Sequence, residues 1–376
     1  AVAKFLEQFA SCPAARQVLS VFLVFTDGSD LKLFREALGH VTPDLPSDLW
    51  TPVVALPPKG GWRAPVGIAN QMIAAYKKWH GIVHMMDLEK APAYGLMMDA
   101  ELLLYDGLGE DVVRREQCGP DGPWLDLPRR LQELEDAKTF PAARVSNTLA
   151  TYSIGEHYTT SGRDFDRMIL QQSALFLGPE VMDCPTRGCK EVHQQVEKCL
   201  FSWWTDLPWV NLSVAGKMLQ WLSTKQSRPF QSAWEWEPTE GWCPSEGWRN
   251  LSTGISFRPF EYIAYQQWCV LQEGFRFADV TDITGEAKWG SYLEDPLPGA
   301  RLDRLQPLWI SNRALERVQR GQLPPLSSAR PPLLIFHADQ GRPRANRDAN
   351  KARWERLLLE LLQRRGRSDY SEHSMK

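Results

Sequence analysis

Two carboxylates two residues apart, Asp99 and Glu101, follow the apolar run Tyr94-Gly-Leu-Met-Met98 and lead into Leu102-Leu-Leu104. Alternate side chains of an extended strand share a face, so at a strand end the pair can turn toward one site. Carboxylate oxygens are the hard ligands that divalent cations prefer, and a cation held there can bridge phosphate oxygens. That chemistry points to a nucleotide-linked substrate. The same pattern arises where a strand ends in solvent or caps a helix, so the elements around the pair must decide.

Val21-Phe-Leu-Val-Phe25 reads as a strand entered from a short helix, with residues 16 to 25 covering both, and it stops at the polar turn Thr26-Asp-Gly-Ser-Asp30. Leu31, Phe34 and Leu38 then fall on one helical face. A Pro-rich connector surrounds a second strand at Pro52 to Leu56, and Gly60-Gly61 opens a helix over Val66 to Trp79. The strand at Tyr94 to Met98 comes next. Strand and helix alternate, which predicts an α/β fold with a mostly parallel sheet flanked by helices. Ligands of such sheets bind beyond the carboxyl ends of strands, where Asp27 and Asp99 both fall. Residues 115 to 145 are polar and Pro-rich and read as a surface excursion, Phe165 to Phe176 as a helix capped by Asp164, and Ala352 to Arg364 as an amphipathic terminal helix.

The chain has 376 residues, 43% apolar content and a net charge of -3, enough for a large core and too balanced to hold nucleic acid or an anionic membrane through a basic field. Its longest apolar runs are strand-length, so it reads as soluble. Starting at Ala1, with neither Met nor a signal sequence, it reads as trimmed, with an N-terminal membrane anchor or signal cut away. Seven cysteines and the sequons Asn211-Leu-Ser213 and Asn250-Leu-Ser252 lean toward a secretory lumen.

With these residues in view, the first hundred or so positions resemble nucleotide-sugar glycosyltransferases of the GT-A type. The parallel covers roughly residues 20 to 110: a strand ending in an acidic loop (Phe25-Thr26-Asp27), a helix with basic residues (Lys77, Lys78), and a strand running into Asp99-Ala100-Glu101, similar to an Asp-x-Asp motif. The resemblance implies a Rossmann-like GT-A fold as a single domain over 1–376, with a nucleotide-sugar half at about 15–110, an acceptor half at about 145–340 and a C-terminal helix and tail at 341–376. It implies that Thr26 and Asp27 contact nucleobase and ribose, that Asp99 and Glu101 hold Mn2+ or Mg2+ on the diphosphate of a UDP-sugar, and that a late His or Asp supplies a third ligand. His337, which ends the strand Leu333-Leu-Ile-Phe336, fits that position. It also implies a Golgi address. Glu in the motif's last position departs from the family pattern but remains an oxygen donor.

Glycosyl transfer from a nucleoside diphosphate needs its leaving group neutralised, by the metal and by a nearby cation for which Lys77, Lys78 and Arg63 are candidates. An inverting enzyme also needs a carboxylate to take the acceptor hydroxyl's proton. Glu261 and Asp206 are the candidates, with helix capping and turn formation as their structural alternatives. Half of the 16 Trp lie between Trp203 and Trp248, and Trp203, Trp204, Trp234, Trp236, Trp242 and Trp248 can line a glycan-acceptor groove or fill a core.

Cys184, Cys189, His193 and Cys199 have zinc-type chemistry at loose spacing, while the short Cys184–Cys189 loop favours a disulfide. Dinucleotide, P-loop and nucleophile-elbow motifs are absent, which counts against hydride transfer, ATP-driven chemistry and serine hydrolysis. The reading is therefore a metal-dependent glycosyltransferase acting on a glycan or glycoprotein. Its rivals are a non-catalytic carbohydrate-binding protein and a glycoside hydrolase with two carboxylates and no nucleotide.

Overall fold

The computed structural model describes residues 2–57, 69–98, 102–104, 117–119, 122–144, 162–183, 186–201, 208–234, 259–279, 309–311 and 333–337. Two short helices come first. In α1 (Val2–Ala10) Phe5, Leu6 and Phe9 turn inward together with Gln8, and Pro13 opens α2 (Pro13–Val18), a position that needs no backbone N–H.

Strand β1 (Val21–Phe25) pairs in parallel with β2 (Trp50–Val54), Val21 opposite Trp50 and Phe25 opposite Val54. Pro52 cannot donate to a further ladder, which suits β2 to an edge. Between them α3 (Gly28–Val41) crosses back, fixed by a cluster in which the rings of Phe25, Phe34 and Trp50 lie 5.3 to 6.0 Å apart. Helix α4 (Ala69–Met86) runs antiparallel to β1. Phe22 meets His84 at 5.6 Å, and a Cβ on Gly81 would lie 3.1 Å from Val24. The other side of α4 presses on β3 (Tyr94–Leu96): a Cβ on Gly95 would come within 2.6 Å of Ile82 Cδ1, so any larger residue there requires the Ile82 side chain to shift.

β3 pairs antiparallel with β7 (Trp209–Asn211), while β4 (Leu102–Leu103) pairs antiparallel with β10 (Leu333–His337), which is parallel to β9 (Trp309–Ser311). Helix α5 (Leu127–Ala137) ends on Lys138 in the left-handed region and feeds β5 (Thr139–Arg144), parallel to β8 (Arg276–Asp279) and antiparallel to β6 (Leu200–Phe201). Helices α6 (Gly162–Leu177), α7 (Glu180–Asp183), α8 (Arg187–Lys198), α9 (Leu212–Gln226) and α10 (Glu261–Gln272), with a single 3-10 turn at Phe230–Ser232, complete the described elements.

The α/β class holds, with small parallel pairings and flanking helices. Instead of one mostly parallel sheet, four small sheets stand among the described residues, with antiparallel pairings as frequent as parallel ones. The expected surface excursion at 115 to 145 is folded core: Trp124, Leu127 and Leu131 are buried, and β5 joins a sheet. Leu127, Leu131 and Leu134 follow helical spacing, and the prolines and charges around them hide it in the sequence. Asp164 is not a cap, because α6 already begins at Gly162. Among the described residues no helix is long and apolar enough to cross a membrane. The terminal helix expected at 352–364 lies outside the described residues.

Candidate functional site

At the carboxyl end of β1, Asp27 has extended backbone, and its carboxylate accepts the N–H of Asp30 at 2.9 Å, capping α3. That hydrogen bond, with the Ser29 hydroxyl, holds the Asp27 carboxyl below its ordinary range. The Thr26 hydroxyl bonds the Asp30 carboxylate. Lys77, half-buried on α4, comes within the field of Asp30, and burial lowers its pKa while the Asp30 charge works the other way. The antiparallel course of α4 therefore brings one cation to the same strand end as two carboxylates and a hydroxyl. Carboxylates suit sugar hydroxyls, and a desolvated ammonium suits phosphate oxygens.

Lys78, the next residue, turns elsewhere. Its Nζ meets Glu261 Oε1 at 2.6 Å, with side chains 16% and 3% exposed. Glu261 opens α10, where a carboxylate also complements the helix dipole, and the preceding Phe260 N–H is held by Ser173 Oγ at 3.0 Å. A candidate phosphate cation and a candidate general base are thus each other's partner, in a buried pair that ties α4 to α10. Nothing in their spacing of 183 residues announces it.

The β3–β7 ladder continues one step past its last pair, since Met97 N–H donates to Pro208 C=O at 2.8 Å. It is still running two residues before Asp99 on one strand and two residues after Asp206 on the other. The chain resumes at β4, where Leu102 stands opposite His337 and Leu103 opposite Phe336. The β3–β7 ladder so brings the flanks of Asp99 and Asp206 together, and the β4–β10 ladder those of Glu101 and His337. Asp99, Glu101, Asp206 and Arg63 themselves lie outside the described residues, as do Trp203, Trp204, Trp236, Trp242 and Trp248. Among the described residues no group of three His, Cys, Asp or Glu side chains is arranged to hold a metal.

Trp234 does not line a groove. It is buried, stacked on Trp79 at 4.7 Å and edge-on to Phe176 at 4.8 Å. The zinc alternative loses a ligand, because Cys189 is in a disulfide; His193 Nδ1 faces Glu197 at 3.3 Å. Asn211 of the first sequon is committed on both sides. Its Oδ1 caps α9 by accepting from Ser213 and Val214, and its Nδ2 donates to both Glu135 oxygens at 2.6 and 2.8 Å.

Sequence reasoning missed the network around Glu135. Its carboxylate also accepts from Tyr94 Oη at 2.7 Å, while the Asn211 N–H donates to Tyr265 Oη at 3.0 Å. Burial and the Glu135 charge hold the Tyr94 phenol well above its ordinary range. This network braces β3 and β7 at the end opposite Asp99. Gln8 was missed too: an Oε1 buried beside the exit of the acidic motif accepts the Leu104 N–H at 2.9 Å.

No protein-family model, curated protein or solved structure matches the chain.

Proposed function

We propose that this chain is a GT-A-like, metal-dependent glycosyltransferase that moves a sugar from a nucleoside diphosphate, UDP by preference, to a hydroxyl of a glycan or glycoprotein acceptor. The observation that carries the reading is the pairing of His337 with Leu102, the residue next to Glu101. Directly opposed residues of an antiparallel pair have Cα atoms about 4.5–5.5 Å apart, which suits a shared metal site. Strand alternation would send Glu101 and Leu102 to opposite faces, so a site shared with His337 requires the chain to turn at Glu101. Two carboxylates and an imidazole are a donor set that Mn2+ accepts. Bound there, the ion would supply charge neutralisation for the departing diphosphate.

The remaining roles divide among this chain's own residues. Lys77, at the β1 end, is the cation for the diphosphate; Thr26 and Asp27 face the ribose and base. Lys78 and Glu261 are withdrawn into their own ion pair, which favours Asp206 over Glu261 as the carboxylate that takes the acceptor proton. The Cys12–Cys118 bridge and the disulfide at Cys189 support an oxidising compartment such as the Golgi lumen.

The test is a panel of nucleotide sugars incubated with Mn2+, with and without EDTA. Slow metal-dependent release of free sugar is the expected result and would name the donor. Binding of glycans without metal-dependent nucleotide binding would favour a lectin, and glycan cleavage that survives EDTA a hydrolase.

A further inference from the structure

Trp221, on α9, is the one exposed aromatic side chain among the described residues, 44% accessible, whereas Trp79, Trp124, Trp209, Trp234 and Trp268 are all buried. Its ring is nevertheless fixed. The indole N–H donates to the Leu177 carbonyl oxygen at 3.2 Å, and the ring lies 6.1 Å from that of Trp268 at an angle of 41°. The end of α6 and the body of α10 thus hold the indole in place while part of its surface faces solvent.

Residues four before and four after Trp221 share its stripe of the helix, and both are lysines paired with carboxylates from outside α9. Lys217 Nζ meets Glu273 Oε1 at 2.8 Å. Lys225 Nζ lies 3.9 Å from Glu180 Oε1 and donates to the same Leu177 carbonyl at 2.7 Å. Gln220 and Thr224 are exposed beside them. The stripe is about 12 Å long from Lys217 to Lys225, and its charges cancel in pairs.

Size and charge together select the occupant. An indole exposed to this extent offers roughly 100 Å² of apolar surface, far below the about 800 Å² that each side of a stable protein interface buries. Paired charges provide no net field for a polyanion or an anionic membrane. A pyranose matches: its C–H face stacks on the indole, and its rim of hydroxyls reaches ammonium, carboxylate and amide groups at either end. We infer that Trp221 is a docking platform for a neutral oligosaccharide, with Lys217–Glu273 and Lys225–Glu180 as its polar ends. The ligand's role as acceptor rests on the glycosyltransferase reading above; the binding itself needs neither nucleotide nor metal.

The deciding experiment titrates neutral tetrasaccharides (chitotetraose, cellotetraose, maltotetraose, mannotetraose) into the protein in EDTA by calorimetry, with heparin fragments and anionic vesicles alongside. At least one tetrasaccharide should bind, Trp221→Ala should weaken it by about 10-fold or more, and Trp221→Phe, which keeps a stacking face, should retain most of the affinity. Absence of binding by wild type, or equal binding by a cooperatively melting Trp221→Ala, overturns the inference. So does heparin or vesicle binding that depends on Trp221 while the tetrasaccharides do not bind. If Trp221→Ala does not fold, 19F spectra of 5-fluorotryptophan-labelled wild type decide: the Trp221 resonance, identified by its loss in Trp221→Phe, must move with the sugar, and a stationary resonance refutes the platform. Nucleotide-sugar turnover whose acceptor KM is unmoved in Trp221→Ala rejects the platform and keeps the transferase. Trp221-dependent sugar binding by a protein that turns over no nucleotide sugar keeps the platform and rejects the transferase.

Discussion

Lys77 and Lys78 are adjacent on α4 and meet opposite surroundings, because neighbouring helical residues point about 100° apart. Lys78→Met leaves Glu261 buried without its cation and should cost about 3–5 kcal/mol, read as a lower melting temperature. Lys77→Met should leave melting nearly unchanged and raise the donor KM, since its ammonium is already desolvated and faces the strand end. The reverse pattern would exchange their roles. For the proposed metal ligands, Asp99→Ala should abolish Mn2+-dependent turnover at unchanged melting temperature. His337→Ala should keep activity but raise the Mn2+ concentration at half-activity; an unmoved titration would return His337 to an ordinary strand end. At this scale the sequence offers candidate ligands, because hard oxygen donors and imidazole are recognisable by chemistry, and Asp99 and Glu101 lie outside the described residues. It could not reveal Lys78 meeting Glu261, because a contact between remote residues leaves no local pattern.

Elements with a simple period were legible. The apolar run of β1, the polar turn at Asp27 and the Leu31/Phe34/Leu38 face of α3 announce themselves, and the structure adds the cap hydrogen bond that joins them. α5 and β5 were not, since their apolar residues are interleaved with arginines, glutamates and two prolines. Helix contacts are sharper than sequence suggests at two glycines. A Cβ on Gly188 would meet the Val270 carbonyl oxygen at 2.8 Å, which is backbone, whereas one on Gly95 would meet the flexible ends of Ile82 and Met85. Gly188→Ala should therefore destabilise more than Gly95→Ala, the latter by about 1–3 kcal/mol as in ordinary overpacking. Adding Ile82→Val should recover part of the Gly95→Ala loss and none of the Gly188→Ala loss. Equal losses in denaturant melts would place the α8–α10 contact among the deformable ones.

For the molecule as a whole, the class was legible and the sheet order was not: alternation predicts α/β, but register between strands as distant as β4 and β10 is set by packing that no short window contains. Stability as a whole should fall toward acid through His80. Burial lowers its pKa from 6.5 to about 4, and its ring lies 4.5 Å from that of Tyr76. Between these values the unfolded chain takes a proton that the folded chain refuses, so stability declines as pH drops from 6.5 toward 4 and is unaffected by His80 above that window. The melting temperature of wild type should fall relative to that of His80→Leu between pH 7.5 and pH 5, because the variant escapes the penalty. A constant gap would remove His80 from the acid response.

Asn211 gives the folded state a say in its own processing. An oligosaccharide on Nδ2 would replace one hydrogen that now reaches Glu135 and wedge a sugar ring into the half-buried gap between α5 and β7. Native packing and glycan attachment therefore compete at this residue, although the second Nδ2 hydrogen can still reach Glu135. In a secretory host, chains modified at Asn211 would keep one of the two hydrogens that reach Glu135 and should be less stable than unmodified ones. Peptide mapping of secreted against retained material reads that competition directly: an Asn211 occupied equally in both would show that the Glu135 contact tolerates the glycan.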